Sequence, residues 1–165
     1  MAEDFLSLLK KICEGDVSAW QTFNTLFHQH NLTMDVQIQA FSYIKQMAKG
    51  NVYAMYAQAL FYDEGIGAKQ DPEMALILMR EAAGLGHTAA TFEVGRRFLY
   101  GIGIAQNYQH ALQWLTRAAE SPHYYPAAMF HIGLIYGKGW GVAMDQAKAK
   151  AWMDKATAKG YLTHE

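Results

Sequence analysis

The chain has 165 residues, 52% hydrophobic and 13% aromatic, so it can bury a sizeable core and is too apolar to be disordered. Fourteen Lys and Arg face fifteen Asp and Glu, and the formal charge of −1 argues against a nucleic-acid or anionic-membrane binder that relies on a net basic surface. One cysteine, Cys13, excludes an internal disulfide framework, and fourteen glycines sit beside only three prolines in a composition otherwise rich in helix formers.

The N-terminus opens acidic, with Glu3 and Asp4, and Lys10 and Lys11 break its apolar run. A secretory signal needs a basic start and a longer apolar stretch, and no run approaches the roughly 18 apolar residues of a membrane span. The expectation is a cytoplasmic protein with no membrane span. Phe5, Leu6, Leu8, Leu9 and Ile12 form an amphipathic stripe, the sign of a leading helix. Behind it, Gly15, Ala19 and Phe27 lie 35 residues before Gly50, Ala54 and Tyr62, and Ala40 lies 35 before Ala75. Residues 1–46 therefore read as an N-terminal capping helix plus a degenerate repeat, in which His30-Asn31-Leu32-Thr33-Met34-Asp35 replaces a glycine loop.

From residue 47 onward the glycines keep time. Gly50 and Gly86, Gly65 and Gly101, and Gly67 and Gly103 are each 36 residues apart, and the next copies, Gly139 and Gly141, come 38 later. Ala54, Ala90 and Ala128 share a column, as do Ala59, Gly95 and Gly133, and Tyr62, Phe98 and Tyr136. So do Asp71, Asn107 and Asp145, then Ala75, Ala111 and Ala149, then Leu78, Trp114 and Trp152. The two extra residues fall in Ser121-Pro122-His123-Tyr124-Tyr125-Pro126. A period shared by so many columns marks an internal repeat array. Each unit reads as a helix, a glycine loop that breaks it, a second helix capped by Asp or Asn, and a glycine turn. Pro72 and Glu73 after Asp71 suit the first turn of such a helix. Small residues at Ala59, Gly95 and Gly133 let paired helices approach closely. The three repeats are placed at about 47–82, 83–118 and 119–160, followed by a tail at 161–165.

The third unit carries Ala128, Ile132-Gly133, Tyr136, Gly139-Trp140-Gly141-Val142, Asp145, Lys148-Ala149, Trp152, Lys155-Ala156 and Gly160. This pattern resembles the Sel-one-like repeat, a relative of the tetratricopeptide repeat. The second unit matches with Ala90, Val94-Gly95, Phe98, Gly101-Ile102-Gly103-Ile104, Asn107, Ala111, Trp114 and Arg117-Ala118-Ala119, and the first is looser, with Ala59 for glycine and Leu78 for tryptophan. The resemblance implies an all-α fold, a right-handed solenoid of antiparallel helix pairs, here with about eight helices. Cysteine-rich secreted members of the family have penicillin-binding or β-lactamase-like activity that depends on paired cysteines, so that activity does not carry over to a chain with one.

Motifs that suggest chemistry have plainer readings. Gly137-Lys138-Gly139-Trp140-Gly141 has a superficial look of a phosphate loop, but no strand precedes it, no Ser or Thr follows the lysine, and the loop recurs at each period. His28 and His30 point in different directions on a helix, and His110, His123 and His131 sit in different contexts with no acidic residue spaced to complete a cage. Cys13 reads as a packing residue. No catalytic constellation stands out, and no cofactor, no metal ligand and no enzymatic activity are expected.

By similarity to tetratricopeptide geometry, the first helix of each pair lines a concave face. The columns place Tyr56, Phe92 and Phe130 in one row, Leu60, Arg96 and Leu134 in a second, and Asp63, Leu99 and Gly137 in a third, with Tyr100 beside them. The degenerate repeat adds His28. Aromatics with an interspersed arginine have the composition of a protein-binding patch. The expected function is a non-enzymatic adaptor that holds a protein partner in this groove. A narrower alternative is an immunity or inhibitor protein whose partner is a toxin, an effector or a secretion-system component. An enzyme acting on a small ligand is the alternative from another class, and it predicts a closed polar pocket with clustered titratable groups. Weak self-association through the aromatic surface stays open.

Overall fold

In each repeat one acidic or amide side chain starts the second helix and one glycine pair stops the first. The computed structural model describes residues 2–30, 32–120, 122 and 124–161. The described residues form nine helices and no strand: α1 (Ala2–Cys13), α2 (Val17–His30), α3 (Met34–Met47), α4 (Val52–Glu64), α5 (Pro72–Gly84), α6 (Thr88–Tyr100), α7 (Tyr108–Glu120), α8 (Pro126–Lys138) and α9 (Gln146–Ala158). The all-α class is as expected, with one helix more than the expected eight. Three helices, α1, α2 and α3, precede α4.

The capping expected from the sequence is there in atomic detail. The Oδ1 atoms of Asp71, Asn107 and Asp145 accept the backbone N–H of Met74, His110 and Lys148, each at 2.9 Å. The backbone N–H groups of the same three residues donate to the carbonyls of Tyr62, Phe98 and Tyr136 at 2.8, 2.8 and 3.0 Å. A glutamine adds a third tie that the sequence did not announce. The side-chain amides of Gln70 and Gln106 donate to the Asp63 and Leu99 carbonyls, both at 2.8 Å. In the third repeat Met144 holds that column, and Gln146 on α9 donates instead to the equivalent carbonyl of Gly137 at 2.9 Å. Each loop thus binds the last turn of one helix to the first turn of the next and satisfies carbonyls the helix end leaves open.

The helices gather into two compact units, Met1–His87 and Thr88–Glu165. In the first, α1 packs on α2, α3 and α4, α3 packs on α4, and α4 pairs with α5. Its core is aromatic. Phe23 has no exposed surface and lies 5.5 Å from Phe5, 5.5 Å from Trp20 and 5.2 Å from Phe61, while Phe41 meets Tyr62 edge-on at 5.1 Å. Leu9, Ile12 and Cys13 join this core, but Leu6 is 52% exposed. At 100° per residue the stripe through Phe5, Leu9 and Ile12 leaves Leu6 off the buried face. Asn51 caps α4 and also donates through Nδ2 to the Cys13 carbonyl at 2.7 Å, tying α4 to the end of α1. The Gly65-Ile66-Gly67 loop lies against α3, and a Cβ on Gly67 would overlap the Gln37 carbonyl.

In the second unit α6 pairs with α7, α8 pairs with α9, and α7 packs on α8. The small-residue column does what its size suggests. A Cβ on Gly95 would stand 2.9 Å from Leu115 Cγ and 3.1 Å from Leu115 N, and one on Gly133 would stand 2.7 Å from Met153 Cγ and 3.0 Å from the Ala149 carbonyl oxygen. Trp140 stacks on Tyr108 at 5.7 Å, and Gly141 faces Tyr108 Cβ, the same repeat position that Gln37 holds beneath Gly67. The Gly139-Trp140-Gly141 loop is therefore packed onto α7. Arg97 shares a column with Phe61 and Ile135, and all three are fully buried. Its Nη1 donates to the Ile102 carbonyl at 3.5 Å.

Candidate protein-interaction face

The expected partner-binding residues belong to two units, and each group is described within its own. In the first unit Tyr56 is half-buried against His87, ring centroids 4.5 Å apart, and Tyr53 meets that imidazole edge-on at 5.4 Å. Burial among these rings pushes the His87 pKa down to about 4, because a charged imidazole would lose its hydration. Leu60 and Asp63 are half-buried beside it along α4, and the Asp63 carbonyl is held by Gln70. The His28 side chain lies outside the described residues.

The second unit repeats the ring pair twice. Phe92 stacks on Tyr125 at 4.7 Å, and Phe130 packs on Tyr161 at 5.1 Å. His87, Tyr125 and Tyr161 occupy one repeat column, so a first-helix aromatic meets the residue at the next repeat junction in all three cases. His131 lies among the rings of this unit, edge-on to Phe92 at 5.4 Å, Tyr100 at 5.9 Å and Phe130 at 5.8 Å. Its Nδ1 lies 2.7 Å from the Ala127 carbonyl, which places the proton on Nδ1. Burial lowers the His131 pKa, and the nearby Arg96 charge adds to that. Arg96 reaches back along α6 to Glu93, with Nη2 and Nε at 2.8 and 3.0 Å from Oε2. Burial and the Glu93 carboxylate raise the Tyr125 pKa, and burial raises that of Tyr100.

Two expected site residues change role. Leu99 has no exposed surface, and Phe92 keeps 6%. Phe92, Gly95 and Leu99 fall at i, i+3 and i+7, the face of α6 turned to its neighbours, so both residues are core. The outward face is one residue on, through Glu93, Arg96 and Tyr100, with Tyr100 44% exposed. Phe130 and Leu134 remain half-buried on α8. Glu93, His131, Tyr125 and Tyr161 were not anticipated. The signal for the two tyrosines was present, since they share a column with His87.

The arrangement suits recognition. It offers aromatic faces, a half-exposed guanidinium held by a carboxylate and polar ring edges, the features that concentrate binding energy at protein interfaces. A depression between α8 and α9, lined by Leu134, Lys138, Gln146, Lys150, Met153 and Asp154, is open to solvent, and its Lys150–Asp154 pair is exposed at 2.7 Å. Among the described residues no three His, Cys, Asp or Glu side chains are grouped so as to hold a metal ion, and no helix is long and apolar enough to cross a membrane.

Comparison with known proteins agrees with this architecture. No curated protein matches the chain significantly. Among solved structures, a Sel1 repeat protein from Oxalobacter formigenes is 28% identical with a TM-score of 0.73, over 87% of this chain and 58% of that one. A protective antigen of uropathogenic Escherichia coli, c5321, displaying an SLR fold, superposes with a TM-score of 0.68 at 21% identity, over 98% of this chain and 39% of its own. The chain spans less than two thirds of either. The Sel1 repeat model matches residues 52–87, 88–123 and 126–161, and each match holds one helix pair, α4–α5, α6–α7 or α8–α9. With most of its length in three such repeats, the chain belongs to the Sel1 repeat family.

Proposed function

We propose that this protein is a non-enzymatic interaction module whose first helices present the partner-binding face. Sel1 repeat proteins are generally protein–protein interaction modules, which supports the class. The observation that carries the reading is the ring cluster of the second unit, where half-exposed Tyr100 and Phe130 flank His131 beside the Arg96–Glu93 pair. In the first unit Tyr56, Leu60 and Asp63 are the corresponding candidates. An adaptor and an immunity protein against a toxin or effector would use such a face alike. A toxin-like gene beside this one favours the second.

The test is affinity capture from the native host with the unaltered chain and with an Arg96→Ala/Tyr100→Ala variant. The expected result is a protein retained by the first and lost by the second. Identical retained proteins on both would remove this face from consideration.

A further inference from the structure

A second surface lies on α9, the last helix of the Thr88–Glu165 unit. Lys148, Lys155 and Lys159 follow one another at intervals of seven and four residues, two and three helical turns from the first, so they lie along one line of about 16 Å that runs down α9 to its C-cap, Lys159. All three are exposed. Each ammonium rests on an aromatic ring: Lys148 on Tyr136 at 4.3 Å, Lys155 on Trp152 at 4.5 Å and Lys159 on Tyr124 at 4.5 Å. Among the described residues none of the three pairs with a carboxylate. A ring attracts the cation and holds its stem without cancelling its charge. The line is therefore a row of positioned charges, not of floppy ones. In the preceding repeat Arg117 stands over Trp114 at 5.5 Å in the columns of Lys155 and Trp152.

The charge behind this row is local. Residues 88–165 hold eight Lys and Arg against five Asp and Glu, whereas residues 1–87 hold six against ten. In the first unit the column of Arg117 and Lys155 is Glu81, and the column of Trp114 and Trp152 is Leu78. Beside the lysines, α9 exposes Ala147, Ala151 and Ala158, which leave room for another backbone to come close.

We propose that this face of α9 docks an acidic segment of a protein partner, with carboxylates spaced to meet the lysine line. Charge complementarity selects the sign. The net acidic charge of the whole chain disfavours nucleic acid and anionic membranes as the occupant.

The probe is a fluorescein-labelled helical peptide with glutamates at i, i+4, i+7 and i+11, followed by fluorescence anisotropy against the full chain. Its counterpart with lysine for glutamate is the control. The glutamate peptide is expected to bind, to weaken roughly tenfold against a Lys148→Gln/Lys155→Gln/Lys159→Gln variant, and to dissociate as salt rises. The Arg96→Ala/Tyr100→Ala variant is expected to bind it unchanged, which keeps this surface distinct from the ring cluster. Circular dichroism checks that the lysine variant keeps its helix content, and a single Lys155→Gln change read against salt gives a second measure. Absence of peptide binding, equal binding by the lysine variant, or loss of binding in the Arg96→Ala/Tyr100→Ala variant each overturns the proposal. So does tighter binding of a single-stranded oligonucleotide or of phosphatidylserine vesicles than of the peptide.

Discussion

In the first unit, Phe61 sits among Trp20, Phe23 and Phe41, at 6.3, 5.2 and 6.4 Å. In the second unit the same column holds Ile135 and, in the other repeat, a buried Arg97. The loops and caps around these positions bond alike: the same cap and the same backbone return, with a glutamine tie from the loop in two repeats and from α9 in the third. A repeat of this kind separates two sets of columns. One set, made of caps, loop glycines and small residues, fixes how helix pairs are joined. The other is free to change in character, so the first unit builds an aromatic core while the second builds two regular repeats with a line of lysines on the last helix.

Several substitutions sharpen or break that contrast. The largest effect is expected from Phe61→Ala, which opens a cavity in a fully buried ring cluster and should cost about 3–5 kcal/mol. Hydrogen exchange should place the loss in residues 1–87, and an equal loss of protection in residues 88–165 would contradict the separation of the units. Gly133→Ala is expected to cost about 1–3 kcal/mol in urea denaturation, since the Ala149 carbonyl cannot retreat as Met153 can.

Acid should act on both units. An unfolded histidine takes up a proton near pH 6.5, whereas folded His87 resists until about 4. Between those values the unfolded chain binds more protons. Stability is therefore full above pH 6.5 and declines as pH falls toward 4, by at most about 2 kcal/mol once solvent screening is counted. His131, shifted in the same direction, adds to the slope from the second unit. A His87→Leu variant should show a smaller drop in urea midpoint between pH 7 and 5 than the unaltered chain. Asp71→Ala and Asn107→Ala each remove one cap and should lower stability by about 1 kcal/mol, alike in the two units. The smallest change has the opposite sign. Gly84 is helical with open space around it, so Gly84→Ala should stabilise by about 0.4–1 kcal/mol.

Most of the fold could be read from the period alone. Ten of the glycines adopt positive φ, including every loop glycine of the three repeats, and the capping columns behave as their chemistry requires. The face was harder to read. Alignment put Phe92 and Leu99 in rows with Tyr56 and Asp63, but a shared column fixes only the direction in which a side chain leaves its helix. How deeply it is covered depends on the neighbouring elements. Arg97 shows the same limit from the other side: its column is apolar in the other two repeats, and that was the available sign that a charged residue would be buried. The ring partners at His87, Tyr125 and Tyr161 were missed because they lie just outside the helices that define the motif.

The contact beneath two of the loops has a consequence for how such a protein tolerates change. Gly67 meets main-chain atoms of Gln37, and Gly141 meets the Cβ of Tyr108. These are atoms that nearly every amino acid possesses. A join made this way is indifferent to which residue lies underneath, so drift at the exposed positions leaves it untouched. The outward faces can then be substituted while the joints stay as they are.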